Sequence, residues 1–71
     1  MAYDYSRLLG KIKEKFKTQA AFAQALGISE RALSLKLTGK RMWSQPLISK
    51  ACDLLGISQM DIAYYFFTVK V

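Results

Sequence analysis

The sequence predicts an all-α fold of five short helices, with a tail suited to a short C-terminal strand. Three observations carry this. Apolar residues recur at intervals of three and four almost throughout, the period of one buried helix face. Ser and Thr stand where helices would begin and Gly where they would end: Thr18, Ser29, Ser44 and Ser58 against Gly27, Gly39 and Gly56. The tetrapeptide Leu-Gly-Ile-Ser occurs twice, at 26–29 and 55–58. Each copy is the same punctuation of last helical residue, glycine cap, apolar staple and serine cap. The flanking residues differ, so it is not a duplication.

The first helix is expected over Tyr5 to Phe16. Leu8, Ile12 and Phe16 fall at i, i+4 and i+8, with Tyr5 and Leu9 beside them, and Arg7, Lys11 and Lys15 form the adjacent stripe. Thr18 caps a second helix, Gln19 to about Leu26, whose inward residues are Phe22, Ala25 and Leu26. Gly27 suits the left-handed position that closes it, and Ile28 is a buried turn residue. Ser29 caps a third helix, Glu30 to Thr38. Glu30 complements the dipole of its first turn, and Gly39 ends it. Residues 40–43 form a loop. Ser44 caps a fourth helix, with Pro46 in the first turn, where its missing N–H does no harm. Leu47, Ile48, Ala51, Leu54 and Leu55 make the apolar face, Cys52 is a small core residue, and Gly56 stops the helix. Ser58 caps a fifth helix to about Tyr64, with Asp61 completing a capping box. Residues 64–71 are aromatic and β-branched, which suits a helix end followed by a short strand.

The chain has 71 residues, 52% of them hydrophobic and 23% charged, so it is one small domain, residues 1–71, and not compositionally disordered. A chain of this size buries only about 60% of the surface its unfolded form exposes, so the core must be efficient. With one cysteine and no histidine, an internal disulfide, a His/Cys zinc site and a His-based catalytic site are all excluded. The five carboxylates are scattered and no nucleophile has a base beside it, so no enzyme is expected and no cofactor. The longest apolar run, Ile62 to Phe67, is six residues, far short of a membrane span. A charged-then-apolar signal pattern is missing at the start. The expected setting is intracellular.

Residues 19–38 have the organisation of a helix-turn-helix. Two short helices that cross steeply over a tight turn need a small residue where they approach, a glycine in the turn, and apolar inner faces. Ala23 is the small residue and Gly27 the turn, while Phe22, Leu26, Ile28, Leu33 and Leu37 supply the inner faces. A hairpin in a bundle that binds nothing would use similar packing.

The run Gln19-Ala-Ala-Phe-Ala-Gln-Ala-Leu-Gly-Ile-Ser-Glu-Arg-Ala-Leu-Ser-Leu-Lys-Leu-Thr-Gly-Lys-Arg resembles the phage repressor and Cro type of helix-turn-helix domain. It is most similar to the small Cro-like regulators of phages of Gram-positive bacteria. The resemblance extends over nearly the whole chain, since the capped helix at 45–55 and the short helix after Gly56 also match that five-helix, lambda-repressor-like domain. It implies sequence-specific binding to double-stranded operator DNA in a lysis–lysogeny switch. Some small proteins of this kind are instead antirepressors that bind the phage repressor. The third inward position of the second motif helix, usually apolar in the family, is Lys36 here.

On a helical wheel Ala32, Leu33, Lys36 and Leu37 share the core arc, and Glu30, Arg31, Ser34, Leu35 and Thr38 share the outward one. In this motif the start of the second helix enters the major groove. Arg31 is the candidate for a bidentate contact to guanine O6 and N7, with a phosphate contact or free solvation as alternatives. Glu30 suits a cytosine amino group or simply the helix dipole. Ser34 reads bases or phosphate with little selectivity. An outward Leu35 suits a thymine methyl or a protein partner. Ser29 is a cap before it is a base reader. Gln19 opens the first motif helix, where a phosphate can be held. Lys40 and Arg41 follow the recognition helix and suit flanking phosphates. Lys36 would cover the core with its stem while its head reaches the backbone.

Charge agrees with a polyanion partner. Residues 1–41 hold nine Lys/Arg and three Asp/Glu, giving +6, and residues 42–71 hold two of each, giving zero. One-sided basic surplus points to nucleic acid before a membrane surface. The set Lys11, Lys13, Lys15 and Lys17 reads as a solvated face. Trp43 is expected to pack on the fourth helix. The four consecutive aromatics at 64–67 exceed what so small a core absorbs, so the tail is expected to mediate a homodimer or to bind a phage repressor protein; the alternative is that Tyr64 and Phe67 close the bottom of the domain.

Overall fold

Asp4 starts the first helix. Its Oδ1 accepts from the Ser6 N–H at 2.9 Å, so α1 runs Ser6–Phe16 and Tyr5 is its N-cap, one residue later than predicted. The computed structural model describes residues 3–69. Leu8 and Ile12 of α1 are fully buried and Phe16 half-buried. The helix stops at Lys17, whose φ of 72° is left-handed. The Thr18 N–H donates to the Phe16 carbonyl at 2.8 Å across it, closing a γ-turn.

α2 spans Gln19–Leu26 and α3 spans Glu30–Leu37. Both predicted caps form: Thr18 Oγ1 accepts from the Ala21 N–H at 3.1 Å and Ser29 Oγ from the Ala32 N–H at 3.0 Å. Each is worth about 1 kcal/mol. Between them Gly27 takes φ 80°, and its N–H reaches the carbonyls of Ala23 and Gln24. Ala23 is buried, as the close packing of α2 on α3 requires. Ala25 and Ile28, expected inside, are only half-buried. Thr38 is the C-cap of α3 and not its last residue.

α4 spans Gln45–Leu55. Ser44 has the extended N-cap backbone but its hydroxyl caps nothing. Thr18 and Ser29 each cap the third helical residue; the matching donor here is the Leu47 N–H, which the Ser44 hydroxyl does not accept, and Pro46 removes the alternative donor at the second. Ser58 also makes no side-chain cap. Its carbonyl takes the Asp61 N–H at 3.0 Å, so the first turn, Gln59–Asp61, is a 3₁₀ turn that consumes the donor a capping box would need. α5 then runs Ile62–Phe66.

The tail forms no strand among the described residues. Tyr3 and Val69 make a single antiparallel bridge, and the Asp4 N–H donates to the Thr68 carbonyl at 2.7 Å. The pairing partner is the segment just before α1, Tyr3 and Asp4; residues 70–71, at the end of the predicted strand, lie outside the described residues. The five-helix, all-α prediction therefore holds, and no strand forms among the described residues.

One core joins all five helices. Phe22 of α2, Leu33 of α3, Leu55 of α4 and Phe66 of α5 are fully buried with Leu8 and Ile12. Ala51 and Cys52 complete the α4 face. Trp43 packs against the core, and its ring meets Phe66 of α5 edge-to-face at 5.0 Å. Its buried Nε1–H has no hydrogen-bond acceptor among the described residues. No helix among the described residues is long and apolar enough to cross a membrane.

Candidate functional site

The residues predicted to touch DNA divide into two groups. Glu30 and Arg31 stand exposed in the first turn of α3, with half-buried Ser34 one turn on. Lys40 and Arg41 stand exposed beyond its other end, where both of their N–H groups reach the Leu35 carbonyl, at 2.9 and 3.1 Å. An eight-residue helix is about 12 Å long, so the two groups do not share a cluster. Leu35 is half-buried and not fully outward. The Lys36 stem is half-buried as expected, but its Nζ donates to the Met42 carbonyl at 3.0 Å. Its head ties down the loop after α3. The Ser29 hydroxyl is engaged as a cap. Gln19 is half-buried and lines a shallow hollow with Lys13, Lys17 and Thr18. Lys13, Lys15 and Lys17 are exposed, and Lys11 lies 4.0 Å from Glu14.

A second surface is apolar. Of the four consecutive aromatics, Phe66 is the one the core swallows and Tyr65 is half-buried, while Tyr64 is 51% and Phe67 46% exposed. Phe66, and not Tyr64 or Phe67, closes the domain. Ile62, Tyr65 and Phe66 fall on the inward side of α5 at i, i+3 and i+4. Tyr3 meets Phe67 edge-to-face at 5.7 Å. The Arg7 guanidinium lies 4.2 Å over the Tyr64 ring and donates to Thr68 Oγ1, which donates to the Tyr64 carbonyl at 2.6 Å. Met42 and Met60 are almost fully exposed.

Two hollows lie on this side. One of about 460 Å³ sits between α4 and α5, over Ile48, Cys52, Ile57, Ile62 and Phe67, with Asp53 on its wall. The other, about 210 Å³, shares Ile48 and Phe67 and is walled by Tyr3, Met42, Trp43 and Arg41. Burial, and secondarily the Asp53 carboxylate, push the Cys52 thiol up. Burial, then Tyr3, likewise raise the Tyr5 phenol. Cys52 is thus a packed thiol and not an activated nucleophile.

Sequence reasoning missed Arg7, whose aromatic partner is distant in the chain, and Lys50, whose Nζ donates to the Leu26 carbonyl at 3.3 Å and closes the end of α2. It also missed Met42 and Met60. An apolar residue within a polar cap or loop segment is a signal that finds such positions.

A small all-helical protein with a basic half and an exposed aromatic half is the class these features define. Residues 1–69 match a family described as a protein of unknown function, DUF739, and the chain belongs to that family. Over its whole length it is 54% identical to the modulator of repression (MOR) of the temperate bacteriophage TP901-1 from Lactococcus lactis. It covers 96% of that protein's solution structure, with a TM-score of 0.84. A comparison with curated proteins finds no match.

Proposed function

We propose that this chain is a modulator of repression, which binds a phage repressor protein and alters that repressor's hold on its operators. The observation that carries the reading is the 54% identity, end to end, to a phage modulator of repression of the same fold. The surfaces support it. An α3 that read bases would present several free polar side chains to the groove. Here Lys36 is spent on Met42, Ser29 on its cap, and Glu30 would meet phosphate with its negative charge. The exposed Tyr3, Tyr64, Phe67, Met42 and Met60 suit a protein interface, where aromatic residues and methionine are enriched. The role is binding, not catalysis, and it is exercised in the bacterial cytoplasm.

Direct operator binding in the Cro-like helix-turn-helix manner is the second reading. The free cations Arg31, Lys40 and Arg41 around α3, and the +6 charge, favour it. One experiment separates the two. The purified chain is titrated into the repressor encoded nearest to it, and operator gel shifts are run with each protein alone and with both. We expect a complex with the repressor, and an operator shift by the repressor that changes when the chain is added. A chain that shifts operator DNA alone and ignores the repressor would make operator binding the function.

A further inference from the structure

The α4–α5 side differs from the rest of the molecule in charge as well as polarity. Of its described charged residues, Lys50 has its ammonium on the Leu26 carbonyl, at the end of α2. Asp53 and Asp61 are exposed, and neither has an ion pair among the described residues. Asp53 lines the hollow of about 460 Å³, and among the described residues it is the only charged one that does. Asp61 directly precedes Ile62 on its floor. The cation Arg41 belongs to the smaller hollow, on the far side of Ile48 and Phe67. In a chain of net charge +6, this is a local acidic edge on an apolar floor.

We propose that the α4–α5 hollow seats the repressor through one segment of stated chemistry: an apolar anchor flanked by Lys or Arg, with the cation set against Asp53. This rests on the repressor being the partner. Charge complementarity selects the occupant. A protein that grips DNA phosphates carries a surplus of Lys and Arg, and the basic half of this chain repels such a partner. The α4–α5 side offers it apolar area with little like charge, its one described cation, Lys50, being turned to the Leu26 carbonyl. The same acidic edge rejects a phosphate backbone, so the occupant is protein and not nucleic acid. The volume lies within the roughly 300–1,000 Å³ of ordinary ligand hollows. Arg41 at the other end fixes the segment's direction, with its basic end toward Asp53.

The test is the affinity of the full chain for the repressor encoded nearest to it, measured by calorimetry for the wild type and three variants. Asp53→Lys reverses the acidic edge. Ser49→Trp, at an exposed position on the wall of the hollow, fills it. Glu14→Lys makes the same charge change as Asp53→Lys but on exposed α1. Circular dichroism melts confirm that all three fold. We expect Asp53→Lys and Ser49→Trp each to weaken binding tenfold or more and Glu14→Lys to stay within threefold. If Asp53→Lys and Glu14→Lys weaken binding equally, or if Ser49→Trp binds like the wild type, the hollow is not the seat, though the repressor remains the partner. If the wild type does not bind the repressor, the functional reading falls and the hollow with it.

Discussion

Lys17 is the one residue other than glycine with a positive φ among the described residues, 72° at the γ-turn between α1 and α2. A side chain in that region costs about 1–2 kcal/mol, and glycine there adds up to about 1 kcal/mol of unfolded-state entropy. Lys17→Gly should therefore stabilise the domain slightly, by about 0.5 kcal/mol, as a higher urea midpoint with unchanged slope. Gly27→Ala reverses the logic, because φ 80° is left-handed there too and the space around a new Cβ holds only the Lys50 ammonium, at 3.8 Å. We expect it to lose about 1 kcal/mol through backbone strain and not through a clash. At Arg31 the two functional readings part. If α3 reads DNA, Arg31→Ala costs about 1–3 kcal/mol at one base pair. If the repressor is the partner and sits on α4–α5, the same variant leaves repressor affinity nearly unchanged.

Helix α5 shows how neighbouring positions divide between fold and function. Phe66 is 1% exposed and Phe67 is 46% exposed. Phe66→Ala should cost about 3–5 kcal/mol, a large share of the roughly 5–15 kcal/mol that holds a domain together, and thermal melts would show it nearly unfolded. Phe67→Ala should keep the melting temperature within a few degrees while weakening the protein partner. The number of helices was legible in the sequence, and the ends of α1 to α4 to within a residue, because caps and apolar periods act locally; α5 begins only after a 3₁₀ turn and runs to Phe66, two residues past its expected end. The sequence also marked Thr18 and Ser29 correctly. Ser44 and Ser58 carry the same signature without the side-chain hydrogen bond; at Ser58 the 3₁₀ turn takes the Asp61 donor. Which of the four tail aromatics is buried was not legible, because it depends on how α5 is phased against α1. The Lys50 contact to Leu26 crosses 24 residues. The α4–α5 hollow draws on α4, Ile57, the 3₁₀ turn, α5 and Phe67, and no local pattern announces it.

At the scale of the whole molecule, the fold separates charge from apolar surface: cations along α1 and around α3, exposed aromatics and methionines near the two chain ends, the α3–α4 loop and α5. The core sets a pH limit. Burial raises the Cys52 thiol and the Tyr5 phenol above their ordinary values. The unfolded chain then loses these protons first as pH rises, from about 8.5 for cysteine and about 10 for tyrosine. Their contribution to stability is complete below those values and declines above them. We expect urea midpoints to be flat with respect to these two groups between pH 6 and 8 and to fall above about pH 9, with the cysteine part removed in Cys52→Ala. Function rests on which partner the divided surface serves, and the most direct measurement is calorimetric titration of the chain into the repressor encoded nearest to it, in parallel with titration into operator DNA. A saturable complex with the repressor, and only weak, strongly salt-dependent heat with DNA, is the result we expect. Tight, sequence-dependent binding to operator DNA with no heat from the repressor would contradict it.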